Sequence, residues 1–167
     1  KVINSNEVKI MNNKNILITG SAGFIGFHLA KKFLNNNYNV IGLDGMTNYY
    51  DVKLKYARHE YLKKFERFKG FEFMLEEFKE LEKLILKFQP QFIIHLAAQA
   101  GVRYSLENPK SYLDSNIIGT FNILELSKKI KPLHLLIAST SSIYGSNTKI
   151  PFHEDDRTDH PLSFYAA

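Results

Sequence analysis

"NILITGSAGFIG", Asn15 to Gly26, is apolar as far as Ile18 and then places glycine at 20, 23 and 26. A short apolar run that stops at turn residues reads as a buried strand, here ending at Thr19. Gly20 permits a tight turn without Cβ strain. Gly23 lets backbone come close to a ligand, and Gly26 lets the next helix pack against the sheet. The start of that helix presents unpaired N–H groups, those of Phe24 and Ile25 among them, and a positive dipole end to a pyrophosphate. Glycine turns are common, so the spacing gains meaning only from its context. That context is the strand before it, an amphipathic helix after it, and Asp44 at the end of the next strand. Asp44 stands where a carboxylate would accept hydrogen bonds from an adenosine ribose. The plainer reading is a turn-forming Asp before Gly45. "DGMTNYYD", from Asp44, contains no Lys or Arg, and the first is Lys53. A 2′-phosphate beside Asp44 would be repelled, which favours NAD over NADP.

Outward from this stretch the pattern alternates. Strands are expected at Ile16–Thr19, Asn39–Leu43, Phe71–Leu75, Phe92–His95 and Leu133–Ser139. Helices are expected at Phe24–Asn35, Val52–Phe68, Phe78–Phe88 and Pro109–Lys129. Phe78, Leu81, Leu84, Ile85 and Phe88 form a core-facing stripe. Pro90 and Pro132 each stop a helix just before a strand. Such alternation implies an α/β fold, a doubly wound parallel sheet covered on both faces and ordered 3-2-1-4-5 with one exposed edge. With 167 residues, 44% of them hydrophobic, the chain can bury one sizeable core. Met11 followed by "NNKN" resembles a natural start, so residues 1–11 read as an N-terminal tail and 12–167 as one nucleotide-binding domain. There is no Cys, which suits the cytoplasm and leaves no thiolate metal site. No apolar run reaches membrane-spanning length. The formal charge is +5, but Lys and Arg alternate with Glu along helical faces, so neither nucleic acid nor membrane is expected as a partner.

Two more stretches end strands in chemistry-bearing residues. "HLAAQAGVRYS", from His95, puts Leu96, Ala97 and Ala98 at the carboxyl end of a central strand, where small residues leave room for a cofactor. The plainer reading is close helix–strand packing, and His95 itself reads as structural. "LLIASTSSIYG", Leu135 to Gly145, reads as a buried strand opening into Ser139, Thr140, Ser141 and Ser142, then Tyr144. These hydroxyls suit a substrate hydroxyl or, equally, turn capping. "SFYAA" ends the sequence, with Tyr165 opening an apparent helix. No His, Asp or Glu cluster has metal-ligand spacing, and "HEDD" at His153–Asp156 reads as a polar loop.

"TGSAGFIG", Asp44, "HLAA", "YLDSNIIGT", "STSSIYG" and "YAA", in this order, resemble the extended short-chain dehydrogenase/reductases, the NAD-dependent sugar-nucleotide epimerase/dehydratase family. The likeness spans nearly all of Asn15–Ala167, and "GLDGMTNYYDVKLKYAR" and "HLAAQAGVRYSLENP" are most similar to the UDP-glucuronate 4-epimerase branch. The resemblance implies a Rossmann-like NAD-binding domain that lacks its C-terminal substrate lobe, since the family's proteins run to roughly double this length. The expected NAD contacts are the Gly20–Gly26 turn, Asp44, Leu96, Ala97, Ala98, Asn116, Ser139 and Tyr165. Where the family often has an Asp on the adenine, this chain has Met74–Leu75, so Leu75 backbone takes that place.

The implied reaction is transient oxidation at C4 of a UDP-sugar. Tyr165 as phenolate takes the C4 hydroxyl proton, and Thr140 orients that hydroxyl. Arg103, Thr140, Ser141 and Ser142 face the substrate, Arg103 meeting a carboxylate or a phosphate. Related dehydratases carry Asp-Glu after the Thr, and related decarboxylases Ser-Glu. Ser141–Ser142 supply no carboxylate for elimination, which favours an epimerase, an isomerase of nucleotide-sugar metabolism. The alternatives are a dehydratase, decarboxylase or reductase of the same family, or a non-catalytic NAD-binding fragment. The family's Lys four residues after Tyr165 falls beyond residue 167, so the 167 residues alone are expected to be inactive. Helix 111–129 is apolar on more than one side, and the family pairs it across a homodimer.

Overall fold

In the computed structural model, which describes residues 14–167, five strands form one parallel sheet. They are β1 (Asn15–Thr19), β2 (Asn39–Asp44), β3 (Phe68–Glu72), β4 (Phe92–His95) and β5 (His134–Ile137), in the order β3-β2-β1-β4-β5. The tail expected over residues 1–11 lies outside the described residues. Side chains alternate across β1. Leu17 joins Ile41, Leu43 and Ile93 on one face, and Ile16 and Ile18 join Val40 and Phe68 on the other. The first face is covered by α3 (Phe78–Phe88) and α6 (Gly119–Ile130) through Leu81, Leu84, Ile85, Ile123 and Leu126. Ala30 and Leu34 of α1 (Phe24–Asn35) and Leu62 of α2 (Val52–Lys63) cover the second. Two buried faces explain why the strands read as continuous apolar runs.

Three expected elements differ. β3 starts at Phe68, three residues before the expected Phe71. Gly70 lies inside this strand. A Cβ there would stand 3.0 Å from the Phe68 ring and 3.4 Å from His59 Nδ1, so glycine makes room for both rings. Val40 N–H bonds the Arg67 carbonyl and aligns this register. Consequently α2 ends at Lys63, and Phe73–Leu75 leave the sheet as a loop.

The single helix expected over Pro109–Lys129 is broken into α5 (Pro109–Tyr112), a π-helical turn at Leu113–Ile118 and α6, preceded by the short α4 (Tyr104–Glu107). Gly119 N–H bonds the Asp114 carbonyl, five residues back, which widens the helix there. A Cβ on Gly119 would lie 2.8 Å from Leu75 Cβ, so glycine also admits the loop after β3.

The strand expected to be buried at Leu133–Ser139 is the short edge strand β5. Leu133, Leu136 and Ile137 are 66%, 45% and 43% exposed, because β5 pairs only with β4. No helix among the described residues is long and apolar enough to cross a membrane, and no group of three potential metal ligands occurs among them.

Candidate cofactor and active site

The turn after β1 is fixed by its neighbours. Gly20 and Ser21 donate backbone N–H groups to the Leu43 carbonyl at 2.7 and 3.2 Å. Gly20 has φ +72°, and a Cβ on it would meet Ala97 N at 2.9 Å. Gly23 precedes α1 in an extended conformation with no side-chain cap, and the first intrahelical bond runs from Phe27 N–H to the Gly23 carbonyl. The N–H groups of Phe24, Ile25 and Gly26 therefore have no partner within the helix. With Phe24 and Ile25 side chains exposed, this end of the helix can receive an anion. Gly26 packs against the turn rather than the sheet, since a Cβ there would lie 2.1 Å from the Gly20 carbonyl oxygen.

Asp44 ends β2 beside this turn and is buried. Its Oδ2 accepts the Ala22 N–H at 3.0 Å, and Oδ1 accepts the Met46 N–H at 2.9 Å. Lys55 Nζ, on α2, reaches Oδ1 at 3.3 Å and Thr47 Oγ1 at 3.2 Å. No Lys or Arg immediately follows Asp44 in sequence, which favours NAD only as long as none reaches it in space. α2 folds back and brings one into an ion pair. Arg58, one turn further along, donates to the Ala22 carbonyl at 3.0 Å. His59 Nε2 meets Ser21 Oγ at 2.8 Å, and burial lowers its imidazole pKa.

The loop after β4 forms the opposite wall. Thr19 Oγ1 accepts the N–H groups of Leu96 and Ala97 at 3.1 and 3.2 Å. With both lone pairs taken, its proton goes to His95 Nδ1 at 2.7 Å, which leaves the His95 Nε2 proton for Thr120 Oγ1 at 3.0 Å. Burial holds this imidazole neutral, lowering its pKa to about 4. His95 thus ties β1, the β4 loop and α6 together. Asn116, in the π-helical turn, accepts the Gln99 N–H at 2.7 Å and donates to the Gln99 carbonyl at 2.9 Å. Its amide holds the loop rather than facing the cleft freely.

One cleft is lined by Gly20, Gly23, Asp44, Lys55, Met74, Leu75, Ala97, Ala98 and Ser115. Of the expected cofactor residues, Gly20, Gly23, Asp44, Leu75, Leu96, Ala97 and Ala98 line this cleft, whereas Asn116, Ser139 and Tyr165 do not. The Leu75 carbonyl is engaged by Asn122 Nδ2 at 2.9 Å, and Met74 N–H by Glu77 Oε1 at 2.8 Å.

The residues expected to act on substrate lie further out. Tyr165 sits edge-on to Tyr112, with ring centroids 5.7 Å apart. Tyr112 is buried and donates its hydroxyl to the Ala100 and Gly101 carbonyls. Tyr165 occupies a turn rather than the expected helix. Ser163 Oγ accepts the Ala166 N–H at 3.1 Å, the bond a helix N-cap makes. Thr140 caps the turn Ser141–Tyr144 by accepting the Ser142 N–H at 3.2 Å, so its hydroxyl is spent on capping. Ser139 and Ser141 are exposed, Ser142 is half-buried, and Arg103 is exposed ahead of α4.

Lys55, Arg58, Thr19 and Tyr112 escaped the sequence reading. The signal for Lys55 was present. The buried stripe of α2 is Lys55, His59 and Leu62, spaced i, i+4, i+7, so two polar residues stand where core residues belong.

The sequence matches the family described as GDP-mannose 4,6 dehydratase over residues 17–167. It is 58% identical over 151 residues to a probable UDP-glucuronate 4-epimerase of Rhizobium meliloti, covering 90% of this chain and 44% of that protein. To the UDP-glucuronate 4-epimerase of Thermodesulfobacterium geofontis it is 48% identical, covering 90% and 46%. The crystal structure of the Bacillus cereus UDP-glucuronic acid 4-epimerase in complex with UDP-glucuronic acid and NAD superposes with a TM-score of 0.83 at 35% identity, covering 91% of this chain and 48% of that one. The chain spans less than half the length of these curated relatives. Its family match, its parallel sheet and its glycine turn together make this chain a member of the NAD-dependent sugar-nucleotide epimerase/dehydratase family, corresponding to the N-terminal half of its relatives.

Proposed function

We propose that this chain is the cofactor-binding half of an NAD-dependent UDP-sugar 4-epimerase that converts UDP-glucuronate to UDP-galacturonate. The observation that carries the reading is the cradle at Gly20–Gly26. The N–H groups at the start of α1 have no partner within the helix, and Gly23, Asp44, Ala97 and Ala98 line one cleft there. Bound there, NAD would accept the C4 hydride and return it to the other face of the sugar. The free N–H groups of Phe24, Ile25 and Gly26 hold the pyrophosphate. Met46 and Lys55 both bond Asp44 Oδ1, so Asp44 accepts from the adenosine ribose through the Oδ2 lone pair that Ala22 leaves free. Tyr165 takes the C4 hydroxyl proton, and Thr140 orients the sugar once its Ser142 contact is exchanged for substrate. Ser141 and Ser142 place no carboxylate beside C5 or C6, which supports epimerisation over elimination. Relatives named as UDP-glucuronate 4-epimerases support this sugar.

The test is product analysis with UDP-glucuronate on the full-length protein. UDP-galacturonate is expected, and a 4-keto-6-deoxy or decarboxylated sugar would overturn the assignment. The 167 residues alone are expected to bind NAD without turnover.

Asp44→Asn is expected to relax NAD-over-NADP discrimination by about 1–3 kcal/mol, the scale of a charge-assisted hydrogen bond. Calorimetric titration of both cofactors measures it. A wild-type protein that binds NADP as tightly as NAD would remove the role given to Asp44.

Phe121, Leu124, Ile117 and Ile118 are 58%, 40%, 52% and 38% exposed on α6 and the preceding turn. This face is expected to pair with its copy in a homodimer. Light scattering from full-length protein at micromolar concentration checks it, and a monomer there counts against it.

A further inference from the structure

We infer that Lys55 determines how the cofactor site treats a phosphate on the adenosine 2′-oxygen, and that its pairing with Asp44 leaves the site tolerant of NADP. The inference rests on the placement of the adenosine ribose at Asp44. A carboxylate at the end of β2 excludes a 2′-phosphate by charge repulsion only if its own charge is uncompensated. Here it is compensated at contact distance. Lys55 Nζ lies 3.3 Å from Asp44 Oδ1, and the Lys55 side chain is only 9% exposed. Thr47 Oγ1 at 3.2 Å and the Tyr50 ring, 5.2 Å from the ammonium, hold it there. Asp44, Thr47, Tyr50 and Lys55 all line the cleft.

The surrounding charges do not restore the repulsion. Glu72 pairs with Asp44 across β2 and β3, and its carboxylate accepts the Tyr56 hydroxyl at 2.7 Å. Arg58 is held nearby, at the Ala22 carbonyl and the Tyr50 hydroxyl, 3.0 and 3.4 Å away. His59 is kept from charging by burial. Asp44 is thus paired at contact distance, and the cation that pairs with it lines the cleft. NAD retains an advantage, because its 2′-hydroxyl can donate to Asp44 and a 2′-phosphate cannot.

Calorimetric titration of the full-length protein with NAD and with NADP tests this. Lys55→Met is expected to raise the ratio Kd(NADP)/Kd(NAD) by about tenfold or more, the effect of one uncompensated charge at close range. Lys55→Arg, which keeps the charge, is expected to hold the wild-type ratio within about threefold. A Lys55→Met variant that weakens both cofactors by the same factor would show a merely structural lysine and overturn the inference. Should that variant fail to fold, Lys55→Gln, which is also neutral but can still hydrogen-bond Thr47 and Asp44, is titrated in its place and is expected to raise the ratio by about tenfold. An unchanged ratio overturns the proposal. The ribose placement fails separately, through Asp44→Asn leaving both affinities unchanged.

Discussion

Gly26→Ala loses cofactor binding and about 3 kcal/mol or more of stability, the upper range for overpacking a close-packed site. The added Cβ would stand 2.1 Å from the Gly20 carbonyl oxygen, 2.9 Å from its carbon and 3.0 Å from Ser21 Cα. Every one of these atoms is backbone, so no side chain can rotate away. Relief requires the Gly20–Ala22 turn to move off α1. That movement strains the two bonds to the Leu43 carbonyl and the Ala22–Asp44 bond, each worth about 1 kcal/mol. It also displaces the N–H groups of Phe24 and Ile25 from the pyrophosphate position. Gly23→Ala is the control for stability alone, because its Cβ would meet only the Gly20 oxygen, at 3.1 Å, although it faces the cofactor cleft. Urea unfolding of both variants reads the difference in stability, and NAD titration of Gly26→Ala beside wild type reads the loss of binding. A Gly26→Ala protein with wild-type stability and affinity would show that the turn is not rigid.

Where local pattern and tertiary packing agree, the elements follow from sequence. Phe24–Asn35, Phe78–Phe88 and Phe92–His95 form over the expected residues, and the strand order 3-2-1-4-5 is the one observed. The mismatches arise where one residue's conformation is decided by another far along the chain. β3 takes in Gly70 because the Phe68 ring and the His59 ring of α2 fill the space a side chain would need. The periodicity of helix 109–129 hides the π-helical turn, where Gly119 N–H bonds the Asp114 carbonyl and Asn116 bonds Gln99 across 17 positions. β5 reads as buried because its composition is apolar, whereas burial depends on what lies beyond the edge.

The candidate site divides in the same way. Backbone-built parts were legible, since glycine at 20, 23 and 26 reports on close contacts directly. The charge balance at Asp44 was not. Lys55 stands 11 residues from Asp44 and reaches it only because α2 turns its Lys55–His59–Leu62 stripe inward. Thr140 shows the limit from the other side. The resemblance assigns its hydroxyl to the substrate, whereas in the structure it caps the Ser141–Tyr144 turn, the less specific of its two readings.

Tyr165→Phe in the full-length protein is expected to lower epimerase turnover by about a thousandfold, within the range lost with a positioned general base. The substitution removes one oxygen and keeps the ring. The ring contact with Tyr112 at 5.7 Å, edge-on, therefore survives, and so does the Ser163 cap that starts this turn. Tyr112 remains anchored to Ala100 and Gly101, so the loop that walls the cofactor cleft keeps its place. NAD affinity should stay within about fivefold of wild type, since a neutral hydrogen bond is worth only about 1 kcal/mol. Chemistry and binding thus separate in this variant, unlike Gly26→Ala, where both fail through the backbone. Single-turnover rates with UDP-glucuronate, beside NAD titration, make the comparison. A Tyr165→Phe protein that keeps more than about a tenth of wild-type turnover would mean another group takes the C4 proton, because loss of the general base costs at least about a hundredfold.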